Sequence, residues 1–229
     1  MKTIGLLGGM SWESSLEYYR FMNEAVKARL GGLHSARILM NSVDFAPLRE
    51  QMLAGDWAAV GGHLADAART LEDAGAELMV IGTNTMHKVA PEVEAAVSVP
   101  LVHIADATAE AARAGGFSRV ALLGTALTME DDFYVGRLKE HGFEVLVPDA
   151  GDRSLVDRVI FDEMCRGLFL DGSRAEFVRI IEGLAARGAE AVVLGCTEIG
   201  LLVRPGDTEV PTLDTCRIHA EKVVEAALG

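Results

Sequence analysis

The chain has 229 residues, half of them hydrophobic, and a formal net charge of −13. That length suits one large domain or two small ones, and the apolar half supports a substantial core if both halves fold compactly. The acidic balance disfavours nucleic acid and anionic membrane as partners, and no apolar run approaches the ~20 residues that cross a bilayer.

Met1-Lys2-Thr3 leads straight into a strand-like run, without the charged, apolar and cleavage segments of a secretory signal, so the expected location is the cytoplasm. Residues 3–7 read as a buried strand, and Gly8-Gly9-Met10-Ser11 as a tight turn. Ser11 can cap the helix expected over Trp12 to Leu30, with Glu13 in its first turn and Gly31-Gly32 at its end. Arg37 to Met40 reads as a strand, and Asn41 to Met52 as a loop and short helix. Asp56 is the expected cap of an Ala-rich helix ending at Gly75. Strand 77–81 leads into Thr83, Lys88 to Ala96 reads as helix, and Pro100 opens a short strand to Ile104. Asp106 is the expected cap of a helix to Ala114.

The second half repeats the order. Arg119 to Leu123 reads as a strand, and Thr128 as a cap with Glu130 and Asp131 in the first turn. Phe143 to Val147 is a strand, and helices follow at about 153–167 and 173–187. Strand 191–194 leads into Cys196, Pro211 to Leu213 is the last strand, and Asp214 caps a final helix to Leu228. Nearly continuous apolar strands alternating with helices predict an α/β fold with parallel sheet covered on both faces.

The order is repeated in the residues too. Gly75-Ala76-Glu77 and Gly188-Ala189-Glu190 lie 113 residues apart, each closing an amphipathic helix and opening an apolar strand. Ile4–Gly8 and Val120–Gly124 lie 116 apart, and Val99-Pro100 and Val210-Pro211 lie 111 apart. Three matches in order predict a duplicated unit with two equivalent loops across a shared cleft. One loop, Gly195-Cys196-Thr197-Glu198, carries a thiol; its twin, Gly82-Thr83-Asn84-Thr85, carries a hydroxyl.

In parallel sheets ligands bind beyond the carboxyl ends of the strands, where both loops, Gly8–Ser11 and Thr125–Thr128 fall. A helix starting near Thr197 would favour the Cys196 thiolate and lower its pKa from the ordinary value of about 8.5. Cys165 and Cys216 read as core residues, since cysteine is among the most buried types. Three cysteines without C-x-x-C spacing suit neither a disulfide framework nor a zinc site, and the six histidines show no metal-ligand spacing. His87 reads equally as facing the cleft or as a structural histidine. Gly5-Leu6-Leu7-Gly8-Gly9 departs from the dinucleotide fingerprint, but its backbone N–H groups suit a carboxylate, which makes Met10 and Ser11 candidate binding residues. Arg49 and Arg166 are candidate carboxylate clamps, since arginine grips a carboxylate through two parallel hydrogen bonds, and each reads equally as an ordinary surface arginine.

The Cys196 loop, the Thr83 loop and the opening Ile4-Gly5-Leu6-Leu7-Gly8-Gly9-Met10 together resemble the aspartate/glutamate racemase family across the whole chain. The resemblance implies two similar α/β domains enclosing the substrate, here about 1–100 plus 211–229 and 101–210. It also implies a homodimer and a small dicarboxylic amino acid as substrate. Two cysteines, one per domain, exchange the α-proton on opposite faces, without pyridoxal phosphate, metal or nucleotide. Matched by motif, Cys196 is the second-domain cysteine and Thr83 stands where the first-domain cysteine belongs. Asn84, Thr85, Thr128, Thr197 and Glu198 match substrate-binding positions, and Arg49 and Arg166 lie near those of the carboxylate-holding residues. A one-thiol site should be lopsided, with Cys196 facing the α-hydrogen of the L-enantiomer. The expected function is therefore a cofactor-independent racemase of aspartate or glutamate. The alternatives are a non-catalytic binder of small dicarboxylates and a one-cysteine isomerase or decarboxylase.

Overall fold

In the computed structural model, which describes every residue from Met1 to Gly229, the chain divides into two compact units. Unit 1 is Met1–His103 with His219–Gly229, and unit 2 is Ile104–Ile218.

Unit 1 runs β1 (Ile4–Gly8), α1 (Trp12–Leu30), β2 (Ile38–Ser42), α2 (Phe45–Leu53), α3 (Trp57–Asp73), β3 (Leu78–Ile81), a 3₁₀ turn over Thr85–Val89, and α4 (Ala90–Ala96). Its parallel sheet has the order β2-β1-β3. Both β1 and β3 are buried along their whole length, as strands covered on two faces must be. Ser11 and Asp56 cap α1 and α3 as their sequence positions predict, each accepting a backbone N–H in the first turn.

Unit 2 runs α5 (Ile104–Ala114), β4 (Arg119–Gly124), α6 (Ala126–Glu130), α7 (Asp132–Glu140), β5 (Glu144–Leu146), α8 (Ala150–Asp162), a 3₁₀ turn over Met164–Arg166, α9 (Asp171–Ala186), β6 (Ala191–Gly195), α10 (Ile199–Leu202) and β7 (Thr212–Asp214). Its parallel sheet has the order β5-β4-β6-β7. The last helix, α11 (Thr215–Leu228), starts in this unit and continues into unit 1 from His219. One face of the sheet packs Ala121, Leu123, Val192 and Leu194 against Val156, Ile160, Phe177 and Ile181 of α8 and α9. The other packs Val120, Leu122 and Val193 against Ile104, Ala109, Tyr134 and Leu138 of α5 and α7.

The duplication is visible in register. Ile4 of β1 pairs with Leu78 of β3, and Val120 of β4 pairs with Ala191 of β6, so the two sheets align at the offsets found in the sequence. The Gly-Ala-Glu pair explains part of this. Gly75 and Gly188 end their helices at φ +97° and +100°, a conformation that favours glycine. The Glu77 carboxylate then accepts the N–H of Thr3 at 2.7 Å, and the Glu190 carboxylate accepts those of Ser118 and Arg119 at 2.6 and 2.9 Å. Each acid thus ties down the start of the central strand of its own sheet. These backbone donors hold both carboxyls below their usual pKa.

Several boundaries differ from expectation. Residues 211–218 do not join the first domain, because β7 hydrogen-bonds to β6 and the Thr215 hydroxyl donates to the Leu194 carbonyl at 2.7 Å. The strand expected over Pro100 to Ile104 is a single bridge from Leu101 to Met79, since α5 has already begun at Ile104. Asp106 is therefore inside the first turn of α5, where it accepts two hydrogen bonds from Arg137 rather than capping. Thr128 is not a cap either. Thr125 caps α6 and Asp131 caps α7. The helix expected to reach residue 167 breaks at Glu163 (φ −120°, ψ −68°) into the 3₁₀ turn.

Candidate active site

The loops at the carboxyl ends of β1 and β3 leave unit 1 side by side, because Leu7 and Ile81 are register partners at the ends of their strands. Gly9 has φ +88°, and a Cβ there would lie 2.2 Å from the Val43 carbonyl oxygen, so this turn requires glycine. Its N–H donates to the Ser15 hydroxyl at 2.8 Å, and that hydroxyl donates to the Ser11 carbonyl at 2.9 Å. The Ser14 hydroxyl donates to the same carbonyl at 3.1 Å. Met10 and Ser11 are thereby fixed and buried. In the β3 loop, Thr83, Asn84 and Thr85 are all buried, Thr83 at 8% exposure. His87 holds this loop twice: its backbone N–H donates to the Asn84 carbonyl at 3.1 Å, and its Nδ1–H to the Thr83 carbonyl at 2.8 Å.

Unit 2 presents the equivalent pair. Gly124 of β4 and Gly195 of β6 are register partners, so the Thr125 loop and the Cys196 loop leave neighbouring strands at one level. Thr128 is fully buried, its methyl group packed beside both glycines and its hydroxyl 3.1 Å from that of Thr125. Asp157 of α8 accepts the Ala126 N–H at 2.7 Å and anchors the start of α6.

Cys196 is 9% exposed, at the end of β6. Its thiol donates to Glu198 Oε2 at 2.9 Å, and the same oxygen accepts the Thr197 hydroxyl, also at 2.9 Å. Two consecutive side chains thus converge on one buried carboxylate oxygen of the third. The expected lowering of the thiol pKa is overturned. Burial pushes the Cys196 thiol well up, and the Glu198 carboxylate beside it pushes the same way. The helix credited with stabilising a thiolate is only the four-residue α10, which starts at Ile199, with Glu198 as its cap residue. In this state the thiol keeps its proton and shares it with Glu198.

The candidate arginines lie nearer the surface. Arg49 is half-buried on α2 in unit 1. Arg166 is exposed on the 3₁₀ turn after α8 in unit 2. Cys165 sits on the same turn, packed against the core cluster that contains Cys196, and Cys216 is buried in the first turn of α11, as their reading as core residues expects. No group of three or more His, Cys, Asp or Glu side chains is arranged to hold a metal.

A family model described as Asp/Glu/hydantoin racemase matches residues 7–223. The chain belongs to this family. Its members are amino-acid racemases, isomerases that act without pyridoxal phosphate. A Yersinia pestis protein whose crystal structure was described as a candidate Asp/Glu racemase is 50% identical, with all of both chains covered and a TM-score of 0.92. An aspartate racemase homologue from Pyrococcus horikoshii is 36% identical, again over all of both chains, with a TM-score of 0.87. A broad-specificity amino-acid racemase of Bacillus subtilis is 23% identical over 164 residues, 72% of this chain and 70% of the relative. The similarity to the Yersinia and Pyrococcus structures covers both units and both sheets. No helix of this racemase-family chain is long and apolar enough to cross a membrane.

Two features of the site exceeded what spacing alone conveys. Glu198 reads in the sequence as a substrate contact, but its first partner is the thiol; a carboxylate two residues after a cysteine is the signal that pointed to it. His87 reads either way, and its bond to the Thr83 carbonyl depends on a ring orientation that residue spacing does not encode.

Proposed function

We propose that this chain is a cofactor-independent racemase of a small dicarboxylic amino acid, aspartate or glutamate. Cys196 is its one thiol base and acid, and Thr83 stands in place of a second thiol. The observation that carries the reading is the buried 2.9 Å hydrogen bond from the Cys196 thiol to Glu198. A thiol packed for structure alone has no use for an adjacent carboxylate, which costs desolvation and raises the thiol pKa. A thiol that must lose and regain a proton does, because the carboxylate takes the proton as the thiolate forms.

In the proposed reaction Glu198 accepts the thiol proton and Cys196 becomes the thiolate. An α-ammonium group arriving beside it favours that charge. The thiolate removes the α-proton of the L-amino acid, re-forming the S–H bond and leaving the electron pair on the α-carbon and carboxylate. Return of a proton to the same face regenerates the L-form with solvent hydrogen. Return to the opposite face, from the Thr83 hydroxyl or a water it holds, gives the D-form; the oxygen that gave the proton regains one from solvent, and Glu198 releases to solvent the proton it took, which restores the resting state. Threonine is a far weaker acid than a thiol, so removal of the proton from the D-form is the slow direction. The equilibrium constant still binds forward and reverse, and the asymmetry appears in separate rate and binding terms.

The test is incubation of the protein with L-Asp, L-Glu and their D-forms in heavy water, followed by NMR and chiral analysis. The reading expects α-hydrogen exchange and inversion, with exchange fastest from an L-form. Release of carbon dioxide would identify a decarboxylase, and ligand binding without exchange would identify a binder.

A further inference from the structure

Unit 1 buries three histidines that the reaction does not use. The ring centroids of His87 and His103 are 4.4 Å apart, and those of His87 and His219 are 5.8 Å apart. His219 is pinned at both nitrogens. Its Nε2–H donates to the Val102 carbonyl at 2.8 Å, so Nδ1 is the acceptor for the Tyr18 hydroxyl at 2.7 Å. His103 and His219 are also the two residues at which the chain leaves and re-enters this unit. A carbonyl can only accept, so the His87 proton toward Thr83 must reside on Nδ1. All three rings are buried, and that of His87 lies against both of the others.

We infer that His87 is a positioning residue: its Nδ1–H and backbone N–H clamp two successive carbonyls, of Thr83 and Asn84, and so aim the Thr83 hydroxyl used for proton return. The inference rests on the proposed function. The peptide plane after Thr83 cannot rotate without breaking the Nδ1 bond, and rotation there redirects the threonine side chain. A misplacement of about 1 Å is worth roughly 10²-fold in rate. The rings of His103 and His219 pack against that of His87, and His219 is itself fixed at both nitrogens.

Amide substitutions separate this from simple space filling. The asparagine side-chain N–H reaches the place of Nδ1, while the glutamine N–H reaches that of Nε2; by volume, glutamine is the closer match to histidine. The experiment measures two rates for each protein with the preferred L-substrate in heavy water: α-hydrogen exchange, which needs the Cys196 face alone, and inversion, which needs the Thr83 face as well. His87→Asn is expected to keep the inversion-to-exchange ratio within about threefold of the parent. His87→Gln is expected to lower that ratio roughly 10²-fold with exchange largely kept. A purely structural role would lower both rates together, with Gln tolerated better than Asn, and that result overturns the inference. A parent that shows neither exchange nor inversion overturns the proposed function instead. Should both variants fail to fold, ¹⁵N spectra of the parent decide: a neutral His87 protonated on Nδ1 supports the clamp, and one protonated on Nε2 overturns it.

Discussion

The Cys196 thiol and the Glu198 carboxylate lie 2.9 Å apart in a buried loop at the end of β6, and the thiol donates. This pair sets the resting protonation of the candidate site. The thiol is held neutral by burial and by the adjacent negative charge. The carboxylate that opposes ionisation is also the only group bonded to the thiol that can receive its proton.

Glu198→Gln separates these two effects. Glutamine keeps the size and an acceptor oxygen but cannot take a proton. Exchange from the L-substrate should fall by roughly 10²–10⁴-fold, the usual contribution of a positioned proton acceptor. The Cys196 pKa should fall at the same time, because a neighbouring negative charge is gone. The pH dependence of Cys196 alkylation, read by peptide mapping, checks the second part. A variant with a higher thiol pKa, or with parental exchange, contradicts the pairing.

Thr83→Cys should supply the missing base. The two side chains differ little in volume, and the position is already buried and fixed by the His87 clamp. The gain should fall on α-hydrogen exchange from D-Asp or D-Glu, where the parent lacks a thiolate, and reach roughly 10²-fold or more. An unchanged D-exchange rate, with the new thiol ordered where the threonine hydroxyl was, would falsify the idea that position 83 limits the chemistry.

His219 gives a prediction independent of activity. Burial lowers its pKa from the ordinary 6.5 to about 4, against the opposing hydrogen bond to the Val102 carbonyl. A depressed histidine pKa means that the unfolded chain binds the proton first as pH falls. The stabilisation is therefore complete above about pH 6.5 and is lost progressively as pH falls toward 4, by up to about 3 kcal/mol. NMR titration of the His219 ring should show it neutral at pH 5. A midpoint near 6.5 would mean that the ring is not enclosed by Tyr18 and Val102.

Much of this was legible in residues alone. The α1 span was readable because Ser11 and Gly31 punctuate it and the interior has helical periodicity. The twin strands were readable because Gly-Ala-Glu recurs with the same job, a left-handed glycine followed by an acid that ties down a neighbouring strand. Thr128 was misread because Thr125, three residues earlier, has an equally good capping hydroxyl, and only packing against Gly124 and Gly195 decides between them. The assignment of residues 211–218 failed because a three-residue strand carries no mark of which sheet it joins. The thiol pKa had the wrong sign because position after a strand suggested a helix end, while the burial and the orientation of Glu198 are tertiary facts.

The most direct test of the central claim is Cys196→Ser, assayed for α-hydrogen exchange of L-Asp and L-Glu in heavy water beside the parent protein. Serine preserves the shape and a hydroxyl for Glu198 but cannot hold its anion near neutral pH. The account predicts exchange by the parent and a loss of roughly 10²–10⁴-fold or more in the variant, with binding of the amino acid retained. Exchange at the parental rate in Cys196→Ser would contradict it, because some other group would then be the base.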